Sequence, residues 1–365
     1  MIRIGNCLEV MPTLPADHFD SIVTDPPYGL SFMGKGWDHA VPGAEFWAEA
    51  LRVAKPGTFL AAFGGTRTFH RLACAIEDAG WELRDTLMWV YGSGFPKSHN
   101  GPWGGTALKP AWEPIILARK PLLRTVAATF EAHGTGGLRI DPCGIGANFS
   151  DGGRWPANLI HDGSDEVLAA FPSAPGQQGD LRAQDHVVPQ GNAFGQFGPK
   201  RAHKARRDGE ASAERRYAEQ GATDFAVLPG MRRQHPGSAS RFFYCAKADR
   251  ADRDDGCEWL PRVQGGQVSN TSGQHITRRD GGAPGLVGNN HPTVKPTDLM
   301  RWLCRLVTPA GGHVLDPFAG SGSTGRGAIA EGLQFTGIEM DPAYAAIAEA
   351  RIRAMQPGLA LGDAA

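Results

Sequence analysis

Paired cysteines are missing from this chain. The six present, Cys7, Cys74, Cys143, Cys245, Cys257 and Cys304, never form a C-x-x-C pair. That spacing argues against a disulfide scaffold and against a zinc site, and it fits a reducing cytoplasm. Long apolar runs are also missing: stretches such as Thr58–Phe63 fall far short of a bilayer span. Met1–Ile4 reads straight into a strand, without the basic and apolar regions of a secretory signal, so the expected location is cytoplasmic. Net charge is nearly absent, with 37 Lys and Arg against 38 Asp and Glu, which removes the simplest case for a polyanionic partner. What remains is a globular composition, 41% hydrophobic and 21% charged, so wholesale disorder is excluded. At 365 residues, one large domain with an insert or a smaller companion is the natural expectation.

Three regions differ in character. Residues 1–120 carry strand patterns at Asp20–Thr24, Thr58–Phe63, Leu87–Tyr91 and Pro114–Ala118, with helical patterns at Gly43–Val53 and Thr66–Ala79. Strands alternating with helices imply parallel crossover units and a sheet covered on both faces. Residues 121–290 are dense in Gly, Pro, Gln and Asn, with weak periodicity apart from a candidate helix near Gly209–Gln220. Positive charge collects there, 14 Lys and Arg against 8 Asp and Glu between Arg182 and Arg253. Residues 291–365 return to α/β grammar, with helices at Thr297–Val307, Gly322–Ala330 and Pro342–Met355 and strands at His313–Leu315 and Gln334–Ile338.

Two turns carry chemistry. Near the end, Val314-Leu315-Asp316-Pro317-Phe318-Ala319-Gly320-Ser321-Gly322-Ser323-Thr324 is a strand, a glycine turn and a helix start. Glycines allow close approach of a ligand to the backbone, and the helix start presents free amides. Glu339 ends the next strand, where nucleoside-binding sheets accept hydrogen bonds from ribose hydroxyls. Asp316 and Glu339 would repel a pyrophosphate but attract a cationic, amine-bearing nucleoside. S-adenosylmethionine fits that description; a structural turn, or one that holds a phosphate, is the plainer alternative. Near the start, the strand Ser21–Thr24 halts at Asp25-Pro26-Pro27-Tyr28. Two prolines fix the backbone and remove amide donors, leaving the Asp25 carboxylate and the Pro26 carbonyl as acceptors for an amino group. Tyr28 offers a flat face to a base.

Together the two turns resemble the motifs of the beta group of amino DNA methyltransferases, D-P-P-Y first and F-x-G-x-G last. The resemblance covers roughly residues 1–120 and 288–355. It implies an α/β, Rossmann-like S-adenosylmethionine-dependent methyltransferase fold, circularly permuted. Its sheet would be seven-stranded and mostly parallel, with an antiparallel hairpin at one edge. An inserted target-recognition region would span residues 121–290 between a catalytic half, 1–120, and a cofactor-binding half, 291–365. The implied catalytic residues are Asp25, Pro26, Pro27 and Tyr28. The implied cofactor residues are Asn6 and Cys7, which match the segment near the adenine, Asp25, and His291, Thr293 and Lys295, which match the segment closing over the methionine end. To these it adds Asp316, Pro317, Phe318, Gly320, Ser321, Gly322 and Thr324, and Glu339 with Met340 and Asp341. Where the family often has Asp, this chain has Asn6, which keeps an acceptor and adds a donor.

The resemblance further implies methylation of an exocyclic amine in double-stranded DNA after the base swings out of the duplex. Adenine N6 is favoured because the cytosine members usually begin the tetrapeptide with Ser; cytosine N4 is the alternative. RNA or protein-amide methylation, a catalytically silent DNA-binding protein on this fold and a nicotinamide oxidoreductase built on the glycine turn are the more distant rivals. Lys35, Lys200, Arg201, Lys204, Arg206, Arg207, Arg232 and Arg233 are the candidate DNA contacts, against the plain reading of a solvated basic loop. The loop containing Phe32, Lys35 and Trp37 between Gly29, Gly34 and Gly36 is a candidate closure over the base, or a passive surface loop. A homodimer, which a palindromic target would suit, and a restriction endonuclease partner are both compatible with such a protein. His70, His99 and His161 are read as structural or surface residues, Phe242-Phe243-Tyr244 as packing, and Lys109-Pro110-Ala111-Trp112-Glu113-Pro114 as packing rather than chemistry.

Overall fold

Strand patterns from the two ends of the chain meet in one sheet. The computed structural model describes residues 1–30, 38–94, 100–146, 154–174, 237–246, 251–264 and 286–355. Among these, β1 (Ile2–Ile4), β2 (Phe19–Thr24), β3 (Ala54–Phe63), β4 (Glu82–Val90), β5 (Trp112–Arg119), β6 (Leu159–His161), β7 (Tyr244–Cys245), β8 (His313–Asp316) and β9 (Gln334–Glu339) form a nine-stranded sheet. Across the sheet the order is β1-β9-β8-β2-β3-β5-β4-β6-β7. Every pairing is parallel except the two made by β5, with β3 and with β4.

The sheet is buried on both faces, as parallel sheets must be. Along β3, Phe59, Ala61 and Phe63 join one apolar cluster while Leu60 and Ala62 join the other, the alternation that a strand's pleat imposes. Helices α1 (Ala44–Val53) and α2 (Phe69–Asp78) cover the second face through Trp47, Ala50, Leu72 and Ile76. Helices α3 (Thr297–Val307), α4 (Ser323–Ala330) and α5 (Pro342–Ala354) cover the first. Leu299, Met300, Leu303 and Leu306 of α3 are buried, following the spacing of an amphipathic helix. Gly327 lets α3 and α4 pack closely, since a Cβ there would sit 2.7 Å from the backbone nitrogen of Arg301.

Two expectations change. The sheet has nine strands rather than seven, and the β4–β5 hairpin lies inside it rather than at its edge. The extra strands come from the middle region: β6 pairs parallel with β4 at Met88–Val90, and β7 pairs with β6. Trp89 and Ile160 are buried by this extension; without it β4 would present an open apolar edge. Strand β4 also begins earlier than its apolar pattern, because Glu82–Thr86 pair with β5 although Leu83–Thr86 are exposed. The candidate helix at Gly209–Gln220 lies outside the described residues.

Leu60 is completely buried at the centre of the sheet. Leu60→Ala should lower unfolding free energy by about 2–5 kcal/mol in urea titrations; a loss under about 1 kcal/mol would mean that this layer is not tightly packed.

Candidate active site

Strands β2 and β8 lie side by side with Ser21 opposite Val314 and Ile22 opposite Leu315. Their carboxyl ends therefore deliver Asp25 and Asp316 to the same rim, although 291 positions separate them in the chain. Open α/β sheets bind ligands at such rims. The two strand ends are joined directly: the Thr24 hydroxyl donates to Asp316 Oδ1 at 2.6 Å. Asp316 also accepts the amide of Phe318 at 3.0 Å and is almost wholly buried, 1% exposed. Burial raises its carboxyl to about 6, against hydrogen bonds from Thr24, Thr324 and the Phe318 amide that pull it down.

Beyond Asp316 the chain turns through Gly320 and Gly322, at φ 52° and 77°, angles that L side chains rarely adopt. A Cβ at Gly320 would stand 2.9 Å from His291 Nε2, and one at Gly322 2.9 Å from Ala348 Cα. The turn is clamped from below by Arg351, fully buried, which donates to the Ser321 carbonyl, to Ser321 Oγ at 3.1 Å and to the Asp252 carbonyl at 2.9 Å. Glu339 faces the turn. Its Oε2 accepts the Gly320 amide and its Oε1 the Asp341 amide, each at 2.8 Å. Both oxygens keep lone pairs for a ligand. Burial raises its carboxyl, opposed by those amides.

The remaining donor-side candidates have defined local roles. Asn6 Oδ1 caps the short helix Cys7–Val10 through the Leu8 amide at 3.0 Å. Cys7 is buried, its thiol pushed by burial up to about 12, which makes it no nucleophile. Asp341 caps α5 by accepting the Ala343 amide, and Met340 is exposed. His291 packs edge-on against Tyr344, 4.6 Å between rings, with Nδ1 at the Thr293 backbone. Burial lowers its imidazole to about 4, so it is neutral at pH 7. Phe318 packs against Phe46 and Trp47.

Around the Asp-Pro-Pro-Tyr turn lies a polar cluster. The Tyr28 hydroxyl contacts Asp25 Oδ1 at 2.8 Å and Glu113 Oε2 at 3.1 Å. Lys295 Nζ lies 2.6 Å from Asp25 Oδ2, 3.3 Å from Glu113 Oε2 and 3.3 Å from the Tyr28 oxygen. Its charge also sits over the rings of Phe63 and Tyr28, 4.8 and 5.5 Å from their centroids. Burial works against that charge, but Asp25 and Glu113 outweigh it and hold the ammonium above its ordinary range. Burial, then the two carboxylates, push the Tyr28 phenol up. The backbone after the turn is pinned by Asp38, which accepts the amides of Gly29 and Leu30.

A single cavity of about 1570 Å³ runs past both turns. Asn6, Cys7, Asp25, Pro26, Pro27, Tyr28, His291, Thr293, Lys295, Asp316, Pro317, Phe318, Gly320, Ser321, Thr324, Glu339, Met340 and Asp341 all line it. Gly322 does not; it shapes the turn behind the wall. Lys35, Lys200, Arg201, Lys204, Arg206, Arg207, Arg232 and Arg233 lie outside the described residues, as do Phe32, Gly34, Gly36, Trp37 and His99. His70 is exposed, and buried His161 accepts the Gly163 amide. Tyr244 stacks on Trp302 at 5.1 Å and Phe243 meets Phe171 at 5.4 Å, so those rings pack.

Glu113 is the principal residue that sequence reasoning misplaced. Strand β5 runs against its neighbours, so its amino end, not its carboxyl end, reaches the rim. Glu113, opposite Trp89 and two places before the Ile115 that faces Phe63, thereby joins Asp25 and Tyr28. No local pattern marks that reversal. Arg351 was missed for a similar reason, since it reads as an ordinary charge near a helix end.

The family described as DNA methylase, of N6 and N4 type, matches residues 19–350. The chain belongs to that family. Among curated relatives, this methylase-family chain is 49% identical over 55 residues to DNA adenine methyltransferase YhdJ of Escherichia coli (strain K12), 15% of this chain and 19% of that protein. It is 42% identical over 64 residues to type II methyltransferase M2.DpnII of Streptococcus pneumoniae, 18% of this chain and 24% of that one. The chain thus matches only about a fifth to a quarter of the length of these two relatives. Among solved structures, the M1.HpyAVI–SAM complex aligns at 16% identity over 96% of this chain and 98% of that one, TM-score 0.43. PvuII DNA methyltransferase (cytosine-N4-specific) aligns at 14% identity over 96% and 85%, TM-score 0.46.

The raised Asp316 carboxyl has a consequence for stability. A folded value of about 6 against 3.8 for the free group favours the fold at low pH, and this contribution is lost as pH rises through 6. The stability of the wild type minus that of Asp316→Asn should therefore fall by up to about 3 kcal/mol between pH ~4 and ~7. A flat difference across that range would show that Asp316 titrates as an ordinary carboxylate.

Proposed function

We propose that the protein transfers a methyl group from S-adenosylmethionine to an exocyclic base amine in double-stranded DNA, and that the amine is adenine N6. The observation that carries this reading is the junction of β2 and β8, which sets an amine-accepting turn and a nucleoside-accepting turn along one cavity.

The residues present suit the donor. Gly320 leaves a gap that a Cβ would close against His291. Glu339 is held by two amides with lone pairs to spare, as ribose hydroxyls require. Asp316 and Glu339 set a negative field that favours a cation. Asn6, His291 and Thr293 line the same cavity. When bound there, S-adenosylmethionine supplies an electrophilic methyl carbon on a sulfonium.

The chain's own residues then have to prepare the nucleophile. A base amine is poorly nucleophilic because its lone pair is delocalised into the ring. Asp25 accepts one of its hydrogens and the Pro26 carbonyl the other, which favours a pyramidal nitrogen with an available lone pair. As the nitrogen takes the methyl, the sulfonium's S–C bond breaks to leave a thioether; negative charge on Asp25 stabilises the positive charge on that nitrogen until it gives up one proton. Because the amine is paired inside a duplex, the nucleotide must swing out to reach the turn, where the Tyr28 ring offers a stacking surface. No nucleophilic cysteine is needed: Cys7, Cys143, Cys257 and Cys304 have thiols raised by burial.

Adenine is favoured by the tetrapeptide's leading Asp25 and by the local likeness to a DNA adenine methyltransferase. The basic residues Lys200, Arg201, Lys204, Arg206, Arg207, Arg232 and Arg233, together with Lys35, are assigned to phosphate and base contact.

Unmethylated genomic DNA incubated with the protein and the donor, then digested to nucleosides, should yield N6-methyladenine by mass spectrometry. N4-methylcytosine alone would overturn the choice of base. Asp25→Ala should lower transfer by about 10²–10⁴-fold while S-adenosylhomocysteine binding survives; full activity in that variant would remove Asp25 from the mechanism.

A further inference from the structure

Lys295 belongs to a segment that begins with His291, which stands against Gly320 of the glycine turn. Its ammonium is engaged elsewhere. On the base side it donates to Asp25 Oδ2 at 2.6 Å and to the Tyr28 oxygen at 3.3 Å, and it pairs with Glu113 Oε2 at 3.3 Å. Its two hydrogen bonds and its ion pair all lie in this cluster. The side chain is 8% exposed, so the charge is committed to this cluster rather than shared with water.

Glu113 makes the arrangement necessary. Asp25 and Glu113 converge on one phenol, and Tyr28 has a single hydrogen to give to two carboxylates. Two like charges this close disfavour each other's ionised form. Lys295 between them is the compensating charge. The other groups facing Asp25 do not replace it. Tyr28 is neutral, as is Tyr91, which reaches Glu113 rather than Asp25, and His291 is neutral at pH 7 and held at the Thr293 backbone. Asp316 on the adjacent strand contributes further negative charge.

We propose that Lys295 and Glu113 are positioning residues for the methyl acceptor: Lys295 holds the Asp25 carboxylate aimed into the base pocket and balances the charge it shares with Glu113, and Glu113 holds Lys295 in place. This rests on the amine-methylating reading of the site. The cluster carries two carboxylates and one ammonium, one net negative charge. That excess suits a nitrogen that becomes positive as it is methylated, whereas a fully neutralised cluster would not.

The test is a cycle of Lys295→Met, Glu113→Gln and the double variant, on genomic DNA that the wild type has been shown to methylate. Single-turnover transfer is measured at pH 7.5 with saturating donor, and S-adenosylhomocysteine binding by calorimetry. Lys295→Met should transfer at least about tenfold more slowly, because Asp25 then faces Glu113 with no cation between them. Its S-adenosylhomocysteine affinity should stay within about threefold of the wild type, since no donor contact is lost. The double variant should be at least about threefold faster than Lys295→Met, because removing the Glu113 charge relieves its repulsion of Asp25. A double variant no faster than Lys295→Met would overturn the proposal, as would loss of S-adenosylhomocysteine binding in step with transfer. Glu113→Gln alone, which keeps shape and hydrogen bonding, guards against misfolding: it should slow transfer less than Lys295→Met, and the reverse order would also overturn the proposal. A wild type that binds S-adenosylhomocysteine but methylates no DNA would instead overturn the function on which this inference rests.

Discussion

The Thr24 hydroxyl on Asp316 is the contact on which the site depends. It ties the end of β2 to the end of β8 at 2.6 Å, between two side chains that are almost wholly buried. A buried carboxylate with a hydroxyl and a backbone amide aimed at it has few alternative arrangements. The relative placement of the two acid-bearing turns is therefore a property of the sheet ladder, not of flexible loops. That matters for a reaction between two bound molecules, because sub-ångström placement of reacting groups is where proximity acts.

Around this junction the charges divide by task. On the glycine-turn side, Asp316 and Glu339 are both raised by burial, and both are held by backbone amides rather than by cations. They remain acceptors for whatever enters. On the tetrapeptide side, a lysine held charged between two carboxylates dominates. The first arrangement waits for a positive ligand; the second is already balanced to within one charge. Backbone-held acids and a lysine-held acid thus line one cavity without cancelling each other.

Much of the scaffold was legible in advance because its elements are long and periodic. Helix Thr297–Val307 shows its apolar stripe unaided, and the strands flanking both turns end in unmistakable Asp-Pro steps. The two turns themselves could be read because proline and glycine state their backbone geometry outright. What could not be read has one common cause, dependence on neighbours distant in sequence. Strands β6 and β7, three and two residues long, are too short to show alternation; pairing with β4 makes β6 a strand, and pairing with β6 makes β7 one. Glu113 reaches the site because β5 runs backwards, a feature of topology with no local signature. The same holds for Lys295, whose segment points to one ligand while its ammonium serves another residue. Arg351, buried beneath the glycine turn, shows its role only once Ser321 and Asp252 surround it.

The central claim is that a donor held by the glycine turn directs its transferable carbon at Asp25. A crystal structure of the protein with S-adenosylhomocysteine tests this most directly. The account predicts that the sulfur will face the Asp25 carboxylate at a separation of about 6–8 Å, room for one methyl group and one amine nitrogen in line. A sulfur turned away from the tetrapeptide, or separated from it by more than about 10 Å, would contradict it.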